Sequence, residues 1–178
     1  MSKHVTASAL VLVLGICGII RADEAQTKSI DAGVKYLKGL HQPKADYDGG
    51  THKVGSAGLV GLALLESGVP ADDPAVKNIT EYIRSNALRQ NRTYETSLAI
   101  MYLDRLGERF DQPAIQYMAV QLMSGQTTRG AWEYLDRLER ADTESVRVQK
   151  LFYNGKAPAA LPAIHGAALH PEVVRFMR

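Results

Sequence analysis

The sequence predicts an all-α fold built from helical hairpins that repeat along the chain. Apolar residues recur at intervals of three and four through successive segments, which is typical of helices that bury one face. A second hairpin then follows the first after a shift of 39 residues. A chain of 178 residues that is 46% hydrophobic and 22% charged has a globular composition. Collagen, a disulfide-stapled miniprotein and a fully disordered chain are therefore excluded.

Residues 1–22 are predicted to be an export signal. Lys3 gives a positive start, and the apolar run 7–20 is shorter than the roughly 20 residues that a bilayer-spanning helix needs. Ala22 supplies the small residue at which a signal peptide is cut. We therefore predict cleavage near Ala22, a periplasmic or extracellular location and no permanent membrane span. An uncleaved signal anchor is the alternative.

Cleavage at this position changes both the charge and the redox chemistry of the chain. It removes Lys3 and Arg21 from the 21 basic residues, so that 19 basic residues balance 19 acidic ones. Without a basic stripe, no nucleic-acid partner is expected. It also removes the only cysteine, Cys17. A lipoprotein interpretation of Cys17 is disfavoured, because Ile16 stands where a lipobox has a small residue.

Three helices are predicted in the first half of the mature chain. Residues 26–40 have an amphipathic period, whereas 54–67 are apolar on all sides and end at Gly68, a typical C-terminal cap. Pro74 opens the third helix, with Asp72–Asp73 as cap and dipole partners, and its half-polar face predicts an outer position. The buried second helix contains three glycines that are expected to let another backbone approach closely: Gly55, Gly58 and Gly61.

The second hairpin repeats the first without a gap. A helix over 94–106 ends at Gly107, and an outer helix follows Pro113. Chance similarity of two hairpins is disfavoured, because the matches include cap positions as well as the apolar period. Stacked units of this kind place apolar helices inside and half-polar helices outside, as in superhelical or toroidal repeats. The identical pairs are Leu59 with Leu98, Leu64 with Leu103, Gly68 with Gly107, Asp72 with Asp111, Pro74 with Pro113, and Ala75 with Ala114.

Two loops carry a resemblance to a known superfamily. Residues 42–50 run from a glutamine to Gly-Gly, and residues 126–134 run from a glutamine to Gly-x-Trp. Both resemble the loops of the squalene-cyclase and protein-prenyltransferase repeat, in which an outer helix ends at Gln and the turn leads inward. The chain over 26–134 is thus similar to secreted bacterial members of the α/α-toroid (terpenoid cyclase/prenyltransferase) superfamily. The resemblance implies a toroid of helical hairpins.

The catalytic signatures that this resemblance implies are missing. Cyclases of the squalene-hopene type protonate an alkene with a D-x-D-D aspartate, but Asp46 and Asp48 are followed by Gly49, which favours a turn. Protein prenyltransferases use zinc held by Asp, Cys and His, and toroid-shaped thioester domains also need a cysteine. The predicted mature chain contains none. We therefore assign no catalytic residue, metal or cofactor.

Five polar or aromatic residues are candidates for lining a cavity. His52 precedes one inner helix, and Tyr94 and Glu95 begin the next, so they are expected to face the same rim. Trp132 and Tyr134 lie in the second loop and are candidates for an apolar pocket. Each has a plainer interpretation: Glu95 as a first-turn acid favoured by the helix dipole, His52 as a solvated side chain, and both loop aromatics as packing between helices.

The chain after the repeat domain, assigned to 26–140, changes in character. Residues 141–178 are predicted to contain a charged helix and then, over 155–174, a Pro- and Ala-rich loop or disordered tail. A ring closed from about six hairpins of this length would need roughly 234 residues, more than remain after signal cleavage. We therefore predict a partial toroid. It is a truncated product, a chain that covers its open ends by oligomerising, or a short arc used for binding.

The functional prediction is an exported, non-catalytic binding or structural module. It is predicted to be non-catalytic because every catalytic signature of the resembled superfamily is missing. Its partner is expected to be an apolar ligand, another protein or a second copy of the chain. The alternative is one portion of a terpenoid-cyclase-like or prenyltransferase-like enzyme whose catalytic motif is absent from this chain.

Overall fold

A computed structural model describes residues 24–40, 52–134, 142–153 and 169–176. Within these ranges the chain is helical and has no β-strand, which confirms the all-α prediction. Two short 3-10 turns lie at Ala87–Arg89 and Arg109–Asp111. The helices are α1 (Glu24–Leu40), α2 (Lys53–Glu66), α3 (Pro74–Asn86), α4 (Thr93–Leu106), α5 (Gln112–Ser124), α6 (Asp142–Tyr153) and α7 (Pro171–Phe176).

Residues at the helix ends act largely as the sequence predicts. Asp73 accepts a hydrogen bond from the N–H of Ala75 at 2.9 Å and caps α3, whose first residue is Pro74. Gly68 and Gly107 follow α2 and α4 with φ of 82° and 78°, a conformation that costs glycine little. A left-handed glycine thus follows both predicted inner helices, as the C-cap itself in α4 and one residue beyond the C-cap Ser67 in α2.

Helices α2 and α4 lie side by side and run in the same direction. A Cβ on Gly58 would lie 3.0 Å from the carbonyl oxygen of Leu98, so the two backbones approach closely there. Further along both helices, a Cβ on Gly61 would overlap the ring of Tyr102. At the C-terminal ends, Arg105 donates to Glu66 at 2.5 Å. The contacts thus advance in step along both helices, while α3 packs on α2 and α5 packs on α4.

The core lies between the pair formed by α2 and α4 and the helices that pack on it, α3 and α5. Tyr102 reaches into it from α4 and shares a hydrogen bond of 2.6 Å with the Thr80 hydroxyl on α3. Burial raises the pKa of Tyr102 to about 12, which keeps the phenol neutral. Fully buried apolar side chains from four helices and the first 3-10 turn surround it, among them Leu64, Val76, Ile79, Ile83, Leu88, Leu103, Tyr117 and Met118.

The expectation that α2 is buried on all sides is wrong. Leu59 is 53% exposed, and Ala63 on the same side of the helix is exposed as well. The glycine face of α2 packs on α4, and its Leu64 side faces the core, which leaves a third side uncovered. Helix α1 contacts α2 and packs Val34 and Leu37 against the core, but none of its residues is fully buried.

Asp111 differs from the aspartate with which it aligns in the repeat. Asp72 is exposed, whereas Asp111 is completely buried and makes no side-chain cap for α5. Instead it accepts hydrogen bonds from Arg84 Nε at 2.8 Å and Nη2 at 2.6 Å, and a third from the Tyr153 hydroxyl at 3.2 Å. Burial acts against the charge on Arg84, but pairing with Asp111 and Glu108 raises its pKa above the usual range. Asp111, at the start of α5, is thus linked to α3 through Arg84 and to α6 through Tyr153.

The end of the chain contains a helix where the sequence predicts a loop or disordered tail. Pro171 begins α7, because proline is well suited to the first position of a helix, and Val173 is buried. The predicted signal peptide 1–22, the loop 42–50 and most of the Pro- and Ala-rich segment lie outside the described residues. In the part of the chain that is described, no helix combines the length and apolar character needed to span a bilayer.

Candidate functional site

Four of the five candidate residues meet at the N-terminal ends of α2 and α4. His52 is the N-cap residue of α2, while Tyr94 and Glu95 lie in the first turn of α4. Tyr134 comes from the loop that follows α5, and its hydroxyl lies 2.8 Å from His52 Nε2. Because α2 and α4 are parallel and in register, residues some 40 positions apart reach the same end of the helix pair.

Glu95 is the buried anion of this cluster, with only 1% of its side chain exposed. Its Oε2 accepts a hydrogen bond from the backbone N–H of Gly55 at 3.0 Å. Its Oε1 is buried without a hydrogen-bond partner among the described residues. The nearest nitrogen atoms of basic side chains are His52 Nδ1 at 3.5 Å and Arg92 Nη1 at 3.7 Å. Two helix N-termini, each with a partial positive charge, also favour an anion here.

His52 lies between the buried carboxylate and the exposed phenol. Its ring makes edge contacts with Tyr94 and Tyr134, at centroid distances of 5.7 and 5.8 Å. His52 Nδ1 faces Glu95 and Nε2 faces the Tyr134 hydroxyl, and either partner of the second contact can be the donor. In the tautomer with its proton on Nδ1, the imidazole accepts from Tyr134 through Nε2. The arrangement therefore holds a carboxylate, an imidazole and a phenol in series, with the phenol 56% exposed. Groups of these types can bind or move a proton.

The loop of Tyr134 is fixed to the start of α4. Thr93 donates its backbone N–H to the Tyr134 carbonyl at 3.1 Å and its hydroxyl to the Glu133 carbonyl at 2.5 Å. Arg92, which precedes these residues, was not among the sequence candidates. Its position three residues before an acid at a helix start was the signal that could have identified it.

Trp132 does not join the cluster in the same way. Its indole N–H donates to the carbonyl of Leu122, so the ring is fixed to the last turn of α5. The turn before it is held by Gln126, whose side-chain amide donates to the Gly130 carbonyl at 2.9 Å. Gly130 has a φ of 80°, which explains why the turn contains glycine. Trp132 is therefore part of the connection that leads from α5 toward the site.

An apolar stripe runs from the cluster along the exposed side of α2 and α4. Tyr94 and Met101 are 42% and 56% exposed, and Leu62 and Leu98 are half-buried beside them. The stripe ends at the Glu66–Arg105 ion pair, about 16 Å from the Tyr94 level at 1.5 Å of rise per residue. Polar groups thus lie at both ends of a short apolar surface.

The described residues contain no group of three or more His, Cys, Asp or Glu side chains arranged to hold a metal ion. Comparisons with protein-family models, with curated proteins and with solved structures gave no match for this chain.

Proposed function

We propose that this chain is an exported, non-catalytic α/α-repeat module that forms part of a toroid of the squalene-cyclase and prenyltransferase type. The observation that carries the proposal is the in-register packing of α2 and α4. Gly55 bonds to a residue 40 positions later, and Glu66 pairs with a residue 39 positions later. Both separations agree with the 39-residue shift between the hairpins. A parallel inner pair with outer helices on one side is the arrangement that a stacked hairpin repeat requires.

The turn after α5 supports the same interpretation. Helix α5 ends at Ser124, two residues before Gln126, and the turn then passes through Gly130 and Trp132 to the start of α4. This is the order of outer helix, glutamine, glycine and tryptophan on which the resemblance rests.

The proposed ligand is apolar and lies along the stripe of Tyr94, Leu98 and Met101. Exposed apolar side chains in a continuous strip mark binding surfaces more often than isolated ones do. Buried core side chains lie beneath the stripe, so the proposed ligand lies on the surface of the helices. Export is proposed together with this role because of the predicted signal at 1–22.

A binding and turnover assay tests the proposal. The purified protein is titrated with a fluorescent long-chain alcohol and separately incubated with polyprenyl diphosphates and triterpenes. We expect saturable binding, no product, and weaker binding by Met101→Glu. The matched control is Leu151→Glu, at an apolar residue of α6 that is 45% exposed, which should bind normally. Product formation abolished by an alanine at one polar site residue, or binding equal in both variants, would contradict the proposal.

One observation favours a second candidate function, an acid–base enzyme of the same superfamily. The series Glu95–His52–Tyr134 resembles the carboxylate–imidazole–hydroxyl arrangements that move protons in catalysis. In this alternative Glu95 orients His52, and Tyr134 delivers or receives the proton. Turnover of an apolar substrate that is lost in both His52→Ala and Tyr134→Phe would favour this candidate over the binding module.

A further inference from the structure

The last turn of α5 gathers several exposed groups at one end of the helices. Gln121 donates its side-chain amide to the carbonyl of Gln90, which brings the segment after α3 to this end. Leu122 accepts the indole N–H of Trp132, which brings the loop after α5 to the same place. Met123, the next residue, is 59% exposed. The surface formed in this way lies at the end of the molecule where α2 and α4 begin.

The apolar part of this surface is aromatic. Trp132 is 49% exposed, and its one polar atom is already bonded to the carbonyl of Leu122, so the ring offers carbon to a partner. Tyr134 is 56% exposed, and its hydroxyl lies against His52. Rings that combine an apolar body with one polar atom are enriched where hydrocarbon meets water.

The polar part of the surface is basic. Arg129 is exposed in the turn that the N–H of Gly130 closes by donating to the Thr127 carbonyl at 2.9 Å. Arg89 is exposed at the end of the first 3-10 turn. Glu133 is exposed as well and offsets one of these charges. We call this surface the basic–aromatic end, and it consists of Arg89, Met123, Arg129, Trp132 and Tyr134.

The opposite end of the same helices is acidic. Arg105 and Arg109 are exposed there, but acids surround them. Charge is therefore separated along the helix axes, although the predicted mature chain has as many basic as acidic residues. The exposed acids at this opposite end include Glu66, Asp72, Asp104 and Glu108.

We propose that the basic–aromatic end docks on the surface of an anionic phospholipid bilayer. Arg89 and Arg129 lie against lipid phosphates, and the ring of Trp132 enters the headgroup region. A bilayer surface fits because it offers phosphate and hydrocarbon side by side, and this end presents a partner for each. An anionic surface also repels the acidic end, so the charge separation sets the orientation of the docked molecule.

This contact goes beyond the proposed ligand binding and does not depend on it. The stripe of Tyr94, Leu98 and Met101 follows the sides of α2 and α4, whereas the basic–aromatic end is built on the last turn of α5 and the loop after it.

Fluorescence of Trp132, the only tryptophan of the chain, tests the proposal. The full chain is titrated with vesicles of equal parts phosphatidylglycerol and phosphatidylcholine, and separately with vesicles of phosphatidylcholine alone. We expect the emission to shift to shorter wavelength with the anionic vesicles, and the shift to weaken at high salt because salt screens the arginines. Binding through the apolar segment 7–20 would leave Trp132 in water, so the readout is specific for the proposed surface.

Arg129→Glu is expected to raise the lipid concentration at half-maximal shift roughly 30-fold, because it replaces an attracted charge with a repelled one. Arg109→Glu is the matched control, since it makes the same change in net charge at an exposed residue of the acidic end. It should dock like the wild type. Circular dichroism establishes that each variant is folded, and Arg89→Glu tests the same surface at a second position.

Three results would overturn the proposal: no shift with anionic vesicles, an equal shift with both lipid compositions, or equal effects of Arg129→Glu and Arg109→Glu. A shift produced by soluble polyglutamate but not by vesicles would also overturn it, because the partner would then be an acidic protein. Met101→Glu, which is expected to weaken binding of the proposed apolar ligand, should dock like the wild type. The two proposals therefore fail separately.

Discussion

Glu95, in the first turn of α4, caps the neighbouring helix α2 by accepting the backbone N–H of Gly55 at 3.0 Å. A helix N-terminus is usually capped by the side chain of its own N-cap residue, but His52 makes no such bond. The capping group therefore comes from a second helix, some 40 residues later. This hydrogen bond fixes the register of the two helices and places His52 beside a buried carboxylate.

Glu95→Gln is expected to destabilise the protein by about 1.5–3 kcal/mol, the range for hydrogen bonds to charged groups. Glutamine keeps an oxygen for Gly55 but removes the charge that faces two helix N-termini, His52 and Arg92. Urea unfolding followed by circular dichroism measures the change. Glu81→Gln, at an exposed residue of α3, is the control and should differ little from the wild type. Equal stability of both variants would show that the buried charge contributes nothing.

Gly61→Ala is expected to cost about 1–3 kcal/mol through overpacking. The new Cβ would overlap the ring of Tyr102 and lie 2.9 Å from Ile79, and both neighbours are fully buried. Gly33→Ala in α1 provides the opposite control, since nothing lies within 4 Å of its Cβ position. It should stabilise the protein by up to about 1 kcal/mol through helix propensity. Thermal unfolding of both variants checks the contrast, and a stabilised Gly61→Ala would exclude close packing of α2 on α4.

Asp111→Asn is expected to destabilise the protein by about 3 kcal/mol, because it leaves the mostly buried Arg84 without its principal anion. Glu108→Gln is the matched control, since Glu108 contacts the same guanidinium but is half exposed. Its loss should cost less than about 1 kcal/mol. Chemical denaturation gives both values. If Asp111 joins α3, α5 and α6, Asp111→Asn must lower the free energy of unfolding clearly more than Glu108→Gln does.

Asp73 gives a prediction for the dependence of stability on pH. The hydrogen bond from Lys38 lowers the pKa of Asp73 below its ordinary 3.8, despite the opposite effect of burial. Because the folded-state pKa is the lower one, Asp73 contributes stability above pH 3.8 that is lost as the pH falls through the folded pKa. The difference in unfolding free energy between wild type and Asp73→Asn should be present at neutral pH and shrink in acid.

Asp72→Asn is the control for this titration, because Asp72 is exposed next to the cap. Its difference from the wild type should stay small and nearly constant with pH. A difference for Asp73→Asn that is unchanged from neutral to acid conditions would contradict the role of the Lys38–Asp73 ion pair.

The helices of the two predicted hairpins could be located from sequence because their signals are local. Pro74 and Asp73 mark the start of α3, and Gly68 and Gly107 mark the ends of α2 and α4. The rim position of His52 and Glu95 followed from placing both at starts of inner helices. Their direct contact depends on the parallel register of α2 and α4. The three glycines of α2 indicate that another backbone approaches closely, but not its direction or register.

The rest could not be predicted because it depends on long-range packing. Asp111 aligns with Asp72 in the repeat, yet it is buried because Arg84 and Tyr153 reach it from other helices. Pro171 lies in a Pro- and Ala-rich segment, and α7 forms where Val173 finds a buried position beside α5. Leu59 is exposed in a helix that the sequence predicts to be buried, because the apolar pattern of α2 does not show which of its sides meets a neighbour.

The parallel, in-register packing of α2 and α4 underlies both the cluster at their N-terminal ends and the proposed repeat. Nuclear Overhauser contacts measured by NMR test it most directly. We expect contacts from Gly58 to Leu98 and from Gly61 to the Tyr102 ring, advancing in the same order along both helices. Contacts in the reverse order, or none between these two helices in a folded protein, would contradict it.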